Sequence, residues 1–269
     1  MRPYSYQRFT ASDTFSEFTF SFALVNELIV LGSPPIISVP VFPSLIQEGR
    51  ASGGYDVMLD RPGRLLFLQF KLSKYVQSKR AREFQMSPRL FCGSVYRMEI
   101  RARRSSRQHE LLLDLEQNNR GSVYYCGPAF HTLNELNSHY ENRLIEQYTR
   151  FVKPSEFPAI DDDDQHFMSF REARGGPVAF FSAEGRKIEI DERPFLERAV
   201  EDMKKAGETP LRRSIAEVVS WLRGLSDIEG FAAAIEPEDK AETALGRLAM
   251  LSQMILNSTL FVIQPRTAR

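Results

Sequence analysis

Residues 54–71 contain two runs of apolar positions on either side of a turn-like segment. Few strongly polar residues interrupt these runs: Asp56 in the first, and Gln69 and Lys71 in the second. Each run has the length of a β-strand with at least one buried face. An acid, an amide or an ammonium group is costly to bury in such a place. The three positions therefore need an explanation other than packing.

The segment between the runs, DRPGR, is typical of a turn. A four-residue loop over 61–64 predicts an antiparallel hairpin in which Asp56 lies opposite Gln69. Lys71 is two positions beyond Gln69 and so shares its face of the strand. We expect the three polar side chains to converge on one side of this hairpin. The other side is expected to carry Leu66, Leu68, Phe70 and Leu72.

Hydrophobic periodicity predicts further elements around the hairpin. A helix over 16–31 begins at a cap formed by Ser16 or Asp13, and the prolines of PPIISVPVF confine that segment to an edge strand or an irregular extended segment. The elements expected after the hairpin are a strand at 94–102, a helix at 107–118, a strand at 121–130 and a long helix at 131–151.

The helix over 131–151 is expected to begin with a capping box, in which Thr132 is followed three positions later by Glu135. Beyond it we expect a break at the acidic run 161–164, then two more strands, then helices. The predicted architecture is an α/β (α+β) fold. Its parts are a core over 1–158, a linker with additional strands over 159–191, and a C-terminal helical appendage over 192–269.

Composition restricts the class of protein only in part. The chain has 269 residues, with 35 basic and 35 acidic side chains, so its formal net charge is zero. This balance argues against a generic polyanion binder but leaves local patches open. With two distant cysteines, Cys92 and Cys126, and no apolar segment typical of a leader or a membrane span, we expect a soluble cytoplasmic protein with buried, unpaired thiols.

Positive charge is concentrated in one segment. Residues 71–107 contain eleven basic residues and two acidic ones, Glu83 and Glu99. This segment begins at Lys71, so we expect it to contact the phosphates of a nucleic acid; a basic loop paired with acidic surface elsewhere is the alternative. The candidate nucleic-acid-binding residues are Lys74, Lys79, Arg80, Arg82, Arg101, Arg103, Arg104 and Arg107.

The pattern GYDVML followed by LFLQFK resembles the core of the PD-(D/E)xK nuclease superfamily, which has the restriction-endonuclease-like fold. In that family an acid on one strand is followed by Asp/Glu-x-Lys on the next. Asp56 matches the acid, and Gln69-Phe70-Lys71 matches the second motif in a Gln-x-Lys form that some branches have. The resemblance covers roughly residues 15–150 in element order. It implies a mixed central sheet flanked by helices.

The resemblance also implies a chemistry. Mg²⁺ or Mn²⁺ would be held by Asp56, by the side-chain oxygen of Gln69 and by the backbone carbonyl of Phe70, and Lys71 would orient or deprotonate the attacking water. The preceding helix often supplies a further acid, for which Glu17 and Glu27 are the candidates. We expect Glu17 to lie nearer the site.

The function expected from these features is metal-dependent hydrolysis of nucleic acid, DNA rather than RNA, in restriction, anti-phage defence or repair. Because Gln69 replaces an acid, a catalytically silent nuclease-like fold that binds nucleic acid or a partner protein is the alternative. A third hypothesis is an interaction protein that works through its C-terminal helices. These helices are also the expected contact for a homo-oligomer or a partner subunit. No membrane association is expected.

Overall fold

A computed structural model describes residues 14–31, 36–37, 63–101, 106–118, 121–160, 162–182, 184–205, 207, 209–225 and 241–264. The described residues form seven α-helices, ten β-strands and one short 3-10 helix, arranged around two five-stranded sheets. The predicted α+β class is confirmed, although two sheets are present where one central sheet was expected.

The helices are α1 (Glu17–Leu31), α2 (Arg82–Met86), α3 (Gln108–Gln117), α4 (Leu133–Glu141), α5 (Phe195–Lys205), α6 (Leu211–Gly224) and α7 (Ala241–Leu256), and the 3-10 helix is Pro154–Glu156. The strands are β1 (Ile36–Ile37), β2 (Arg64–Phe70), β3 (Ser73–Val76), β4 (Val95–Ile100), β5 (Ser122–Pro128), β6 (Thr149–Val152), β7 (His166–Phe170), β8 (Val178–Phe181), β9 (Gly185–Lys187) and β10 (Thr259–Gln264).

The first sheet has the order β1-β10-β2-β5-β6 and contains β2 at its centre. Strands β2 and β5 are parallel, and the other neighbours are antiparallel. The residues of β2 are buried along its whole length, which accounts for its nearly continuous apolar sequence. The proline-containing segment does supply an edge strand, the two-residue β1.

Alternate side chains of β2 enter two different cores. Leu65 and Phe67 pack in a cluster with residues of α3, α6, α7 and the second sheet. Leu66, Leu68 and Phe70 pack in a cluster with residues of α1, α4 and α5. The first sheet is therefore covered on both faces. The position predicted for Leu72 is wrong, because its side chain is exposed.

The second sheet has the order β3-β4-β7-β8-β9, with every neighbouring pair antiparallel. It contains the predicted strand near 94–102 and the strands predicted after the acidic run. The prediction that these strands belong to a linker is wrong. Strand β7 pairs with β4, and β7 and β8 place Met168, Phe170 and Phe180 in the main core. The second sheet thus packs directly against the first.

The N-terminal caps predicted for α1 and α4 are both present in the structure. Ser16 accepts a hydrogen bond from the backbone N–H of Thr19, so it caps α1. Thr132 and Glu135 form the predicted capping box of α4. The predicted length of α4 is wrong, because the helix ends at Glu141 and β6 follows.

The early end of α4 has a tertiary cause. Arg143 adopts a positive φ of 56°, which turns the chain out of the helical path. The backbone N–H groups of Ile145 and Glu146 then donate to the carboxylate of Glu27 on α1. These bonds replace the carbonyl partners that a continued helix would have supplied.

The predicted hairpin register is wrong. The first strand of that hairpin lies outside the described residues, but Leu66, Phe67 and Leu68 pair with β10 on one edge of β2 and with β5 on the other, so both edges are occupied. Strand β10 is the antiparallel partner of β2 in place of the predicted strand. It lies about two hundred residues along the chain from that predicted partner. A local turn signal does not reveal such a distant competitor.

The C-terminal region is not the helical appendage that was predicted. It contributes β10, an interior strand between β1 and β2, to the first sheet. Helices α6 and α7 also pack through Ile215, Val218 and Leu248 into the same core cluster as β2 and α3. The described residues from 192 onward are therefore part of the main body of the molecule.

Two further expectations concern membranes and thiols. No helix within the described ranges combines the length and apolar character needed to cross a membrane. Cys92 and Cys126 are both free thiols. Cys126 is buried as expected, whereas the expectation for Cys92 is wrong, since it is exposed.

Candidate active site at the end of strand β2

Gln69 and Lys71 lie at the carboxyl end of β2, next to the parallel strand β5. The backbone N–H of Lys71 donates to the carbonyl of Cys126 at 2.9 Å, so the pairing with β5 continues past the last residue of β2. Both side chains are buried: Gln69 is 1% exposed and Lys71 is 9% exposed. The predicted spacing of two does bring the amide and the ammonium together.

A third side chain, Gln108, joins them from the first turn of α3. Its Nε2 donates to Oε1 of Gln69 at 2.7 Å, and its Oε1 accepts a hydrogen bond from Nζ of Lys71 at 3.3 Å. The second hydrogen of Nε2 is directed to the carbonyl of Leu256 at 2.6 Å. Sequence reasoning placed the helix but missed Gln108, because helical periodicity does not show which polar residue faces a distant strand.

Charge around Lys71 comes from two other described residues. Burial lowers the pKa of Lys71, the carboxylate of Glu17 opposes this shift, and the guanidinium of Arg101 adds to it. Partial burial raises the pKa of Glu17, while Lys71 and Arg101 act to lower it. Glu17, Lys71 and Arg101 therefore interact with one another at the same site.

Glu27 has a different location from Glu17, as expected. Its carboxylate is 4% exposed and accepts the backbone N–H groups of Ile145 at 2.8 Å and Glu146 at 2.9 Å. Glu27 thus holds the turn after α4, whereas the charge of Glu17 acts on Lys71.

Asp56, the predicted direct metal ligand, lies outside the described residues. Two of the other predicted ligand oxygens already accept hydrogen bonds: Oε1 of Gln69 from Gln108, and the carbonyl of Phe70 from Nε2 of Gln69 at 3.0 Å. Each oxygen keeps a second lone pair. Across the described ranges, no group of three or more His, Cys, Asp or Glu residues could hold a metal ion.

The candidate nucleic-acid-binding residues differ in how their charge is used. Lys74 pairs with Glu99 at 2.6 Å, Arg107 pairs with Glu110 at 3.3 Å, and Arg82 donates to the carbonyl of Ser182. The remaining described candidates, Lys79, Arg80 and Arg101, are exposed. Arg103 and Arg104 lie outside the described residues.

Both acidic residues of the basic segment form ion pairs with basic residues of the second sheet. Glu83 is fully buried and accepts two hydrogen bonds from Arg97, at 2.7 and 2.6 Å, and one from Ser169 at 3.0 Å. Arg97 also lies 4.4 Å from the ring centroid of Phe167. The charge of Arg97 is thus committed to the fold, which the count of basic residues could not show.

The residue after Gln108 in α3 is a buried histidine, His109. His109 is 9% exposed, and its Nδ1 lies 3.1 Å from the hydroxyl oxygen of Tyr125 on β5. Burial lowers the pKa of His109 to about 4, and the nearby His166 adds to this shift. The contact with Tyr125 ties the start of α3 to β5.

In comparisons with known proteins, no family model, no curated protein and no solved structure matches the chain.

Proposed function

We propose that this protein is a Mg²⁺- or Mn²⁺-dependent nuclease of the cytoplasm that hydrolyses phosphodiester bonds of DNA. The observation that carries the proposal is the buried ammonium of Lys71 at the carboxyl end of a central strand. Its Nζ has an amide partner in Gln108, and the carboxylate of Glu17 on α1 acts on its charge. The resemblance of the Gln69-x-Lys71 motif to the PD-(D/E)xK pattern supports the same assignment.

Lys71 is suited to handle a proton and a developing negative charge. Because burial lowers the pKa of Lys71, its amine takes up and releases protons closer to neutral pH than an exposed lysine does. The neutral amine can accept a proton from an attacking water, and the ammonium can stabilise charge on the phosphorus oxygens. Arg101 adds a second positive charge that favours a phosphate group.

Asp56 and Glu17 are the carboxylates that would hold the metal ion. When bound, a divalent ion of this kind lowers the pKa of its water and neutralises charge on the leaving oxygen. Gln69 contributes a neutral oxygen through its remaining lone pair. Exposed Lys79, Arg80 and Arg101 supply phosphate contacts for the duplex around the site.

The decisive experiment incubates the purified protein with linear, circular and single-stranded DNA and with RNA, in Mg²⁺, in Mn²⁺ and in EDTA. We expect cleavage of DNA in either metal and none in EDTA. Lys71→Met should abolish cleavage, because it removes the amine and keeps the length of the side chain. Lys187→Met, on β9 of the second sheet, is the matched control and should cut at the wild-type rate. Equal cleavage by the Lys71 and Lys187 variants would contradict the proposal.

A second candidate function is supported by one feature of the site. Oε1 of Gln69 and the carbonyl of Phe70 already accept hydrogen bonds from side-chain amides. This is the arrangement expected of a nuclease-like fold that binds nucleic acid without cutting it.

Gln69→Glu separates the two candidates. The carboxylate keeps the bond from Gln108, loses the donor to Phe70, and adds a negative charge near the metal position. We expect calorimetry to show tighter Mn²⁺ binding by this variant. If the wild type binds DNA without cleaving it and Gln69→Glu cleaves, the binding module is the correct function of the natural chain. Cleavage by the wild type in metal, lost in EDTA, supports the nuclease.

A further inference from the structure

Helix α1 presents two phenylalanine side chains to solvent. Phe18 is 73% exposed and Phe22 is 60% exposed. Because the two residues are four positions apart in one helix, their side chains are neighbours on the same face. Neither ring belongs to any of the core clusters that the described residues form. The two rings therefore form an exposed aromatic surface, which we call the α1 aromatic surface.

The α1 aromatic surface lies beside the proposed active site. On the opposite side of the same turns, the buried ring of Phe20 meets the ring of Phe70 edge to face, with a centroid separation of 6.0 Å. Phe70 is the last residue of β2 and directly precedes Lys71. In the first turn of α1, Glu17 is close enough for the charges of Lys71 and Arg101 to act on it. The turns that bear the two exposed rings are thus the turns that adjoin the site.

Exposed rings beside positive charge are the features with which proteins bind single-stranded nucleic acid. A base stacks on each ring, and a cationic side chain holds the phosphates of the same strand. Arg101 supplies such a charge, since it is exposed and acts on Glu17. The bases of a duplex already stack on one another, so an exposed ring can be covered by an unpaired base but not by one inside a duplex.

The spacing of the two rings also indicates an extended strand. Side chains four residues apart on a helix have Cβ atoms about 5–6 Å apart, whereas successive bases in a duplex rise by about 3.4 Å. A strand that places one base on Phe18 and the next on Phe22 must therefore be stretched out of the helical form, which an unpaired strand permits.

The surroundings of the rings favour single bases over a protein partner. Ser16 and Thr19 are exposed beside them, and among the residues of α1 whose exposure the structure gives, the other large exposed apolar side chain is Val30, near the end of the helix. A standard protein interface takes roughly 20 to 30 residues from each side. Two rings among polar side chains offer such a partner little apolar area, but each can cover the face of one base.

We propose that Phe18 and Phe22 bind unpaired bases, so that the substrate of the site is duplex DNA with a single-stranded tail. The tail lies on the α1 aromatic surface and is held at its phosphates by Arg101, while the exposed Lys79 and Arg80 contact the adjoining duplex. This inference rests on the proposed function for its consequence in cleavage. The binding that it describes can be measured without cleavage.

The experiment measures the binding of three labelled DNA probes by fluorescence anisotropy in EDTA. The probes are a blunt duplex, the same duplex with a thymine tail, and the same duplex with an abasic tail of equal length, which has the same phosphates but no bases. The variants are Phe18→Leu and Phe22→Leu, which keep an apolar side chain and remove the ring. Tyr148→Leu is the matched control, because Tyr148 is an exposed aromatic residue whose ring already stacks on His139 at 4.0 Å.

We expect the wild type to bind the thymine-tailed duplex more tightly than the blunt or the abasic-tailed duplex. Each phenylalanine variant should lose about tenfold in affinity for the thymine-tailed duplex and should bind the other two probes as the wild type does. Tyr148→Leu should keep the preference for the thymine tail. Equal binding of the thymine-tailed and abasic-tailed duplexes by the wild type would overturn the inference.

Two further measurements separate this surface from other uses of the rings. Thermal unfolding and sedimentation should give the same results for the wild type and both phenylalanine variants. A large loss of stability, or a change in oligomeric state, would reject the inference, because the rings would then be covered by another part of the chain or by a second copy.

Cleavage assays in Mn²⁺ keep this inference distinct from the proposed function. Ring-dependent binding of the thymine tail by a protein that cleaves no DNA would support the inference and reject the nuclease. Cleavage of blunt and tailed duplexes at one rate in the wild type and in both variants would support the nuclease and reject the inference.

Discussion

Lys71 and His109 show at the residue scale how burial acts on an ionisable group. The pKa of each is lowered because the interior disfavours the charged form. Lys71 lies just past the end of β2, where its Nζ donates a hydrogen bond to the side-chain oxygen of Gln108. His109 is enclosed by the rings of Tyr125 and Phe157. The same physical effect therefore underlies the chemistry proposed for Lys71 and the acid sensitivity expected of His109.

His109 predicts how stability changes with pH. Its pKa is about 4 in the folded protein, below the ordinary value of 6.5, so the unfolded chain binds more protons between these values. The stability associated with neutral His109 is fully present above pH 6.5 and is lost as the pH falls through about 4. The difference corresponds to about 3 kcal/mol.

Chemical denaturation at pH 7 and pH 4.5 tests this expectation. His109→Asn retains a polar partner for the Tyr125 hydroxyl but does not titrate, so it should lose less stability on acidification than the wild type loses. His131→Asn, at a partly exposed histidine, should behave as the wild type does. An identical acid-induced loss in the wild type and His109→Asn would contradict the assigned cause.

Helix α1 shows at the element scale how two acids on one helix can have separate uses. Glu17 occupies the first turn and interacts with Lys71, whereas Glu27, ten residues further, binds the backbone after α4. Both uses depend on the apolar stripe of Phe20, Leu24 and Leu28, which packs α1 against the first sheet. The stripe orients the helix, and that orientation directs each carboxylate.

Substitution of each acid by alanine should therefore give contrasting results. Glu27→Ala leaves two backbone N–H groups without their acceptor and should lower the free energy of unfolding by about 3 kcal/mol. Glu17→Ala should change stability by less than about 0.5 kcal/mol, lower the pKa of Lys71 further and reduce Mn²⁺ binding.

Thermal unfolding, lysine NMR and calorimetry with Mn²⁺ measure these three quantities. Each variant serves as the control for the other, because they share a helix and a residue type. A stable Glu27→Ala protein, or an unaltered Lys71 titration in Glu17→Ala, would show that the corresponding carboxylate has been assigned to the wrong use.

At the scale of the whole molecule, the last described strand completes the first sheet. Strand β10 lies between β1 and β2 and buries Leu260, Phe261, Val262 and Ile263, each no more than 1% exposed. Its side chains reach both core clusters, since Val262 packs in one and Ile263 in the other. Burial of four such side chains contributes on the order of 10 kcal/mol, comparable with the stability of a whole domain.

Removal of β10 should therefore unfold the protein. A chain that stops after Asn257 is expected to show no cooperative thermal transition by circular dichroism, because it loses an interior strand and leaves one backbone edge of β2 without its partner. A chain that stops after Gln264 keeps the complete strand and should melt as the full chain does. A cooperative transition at the wild-type temperature in the shorter chain would refute the central role of β10.

The sequence by itself determined the features that depend on near neighbours. The caps at Ser16 and Thr132 follow from hydrogen bonds within one helical turn, and the common side of Gln69 and Lys71 follows from the two-residue period of a strand. The sequence-based prediction that Glu17 is nearer the site than Glu27 also agrees with the structure, because a regular helix carries its first turn in a predictable direction.

Only the tertiary structure decided which distant segments meet. The partner of β2 could not be chosen from the turn at DRPGR, because β10 competes for the same edge and its short apolar run can be either helix or strand in isolation. Gln108 and Leu256 were missed for the same reason: 148 residues separate them, and their hydrogen bond exists only after α3, α7 and β2 have packed together. Local periodicity reports which face of an element is buried, whereas the identity of the group across that face depends on the packing of the whole chain.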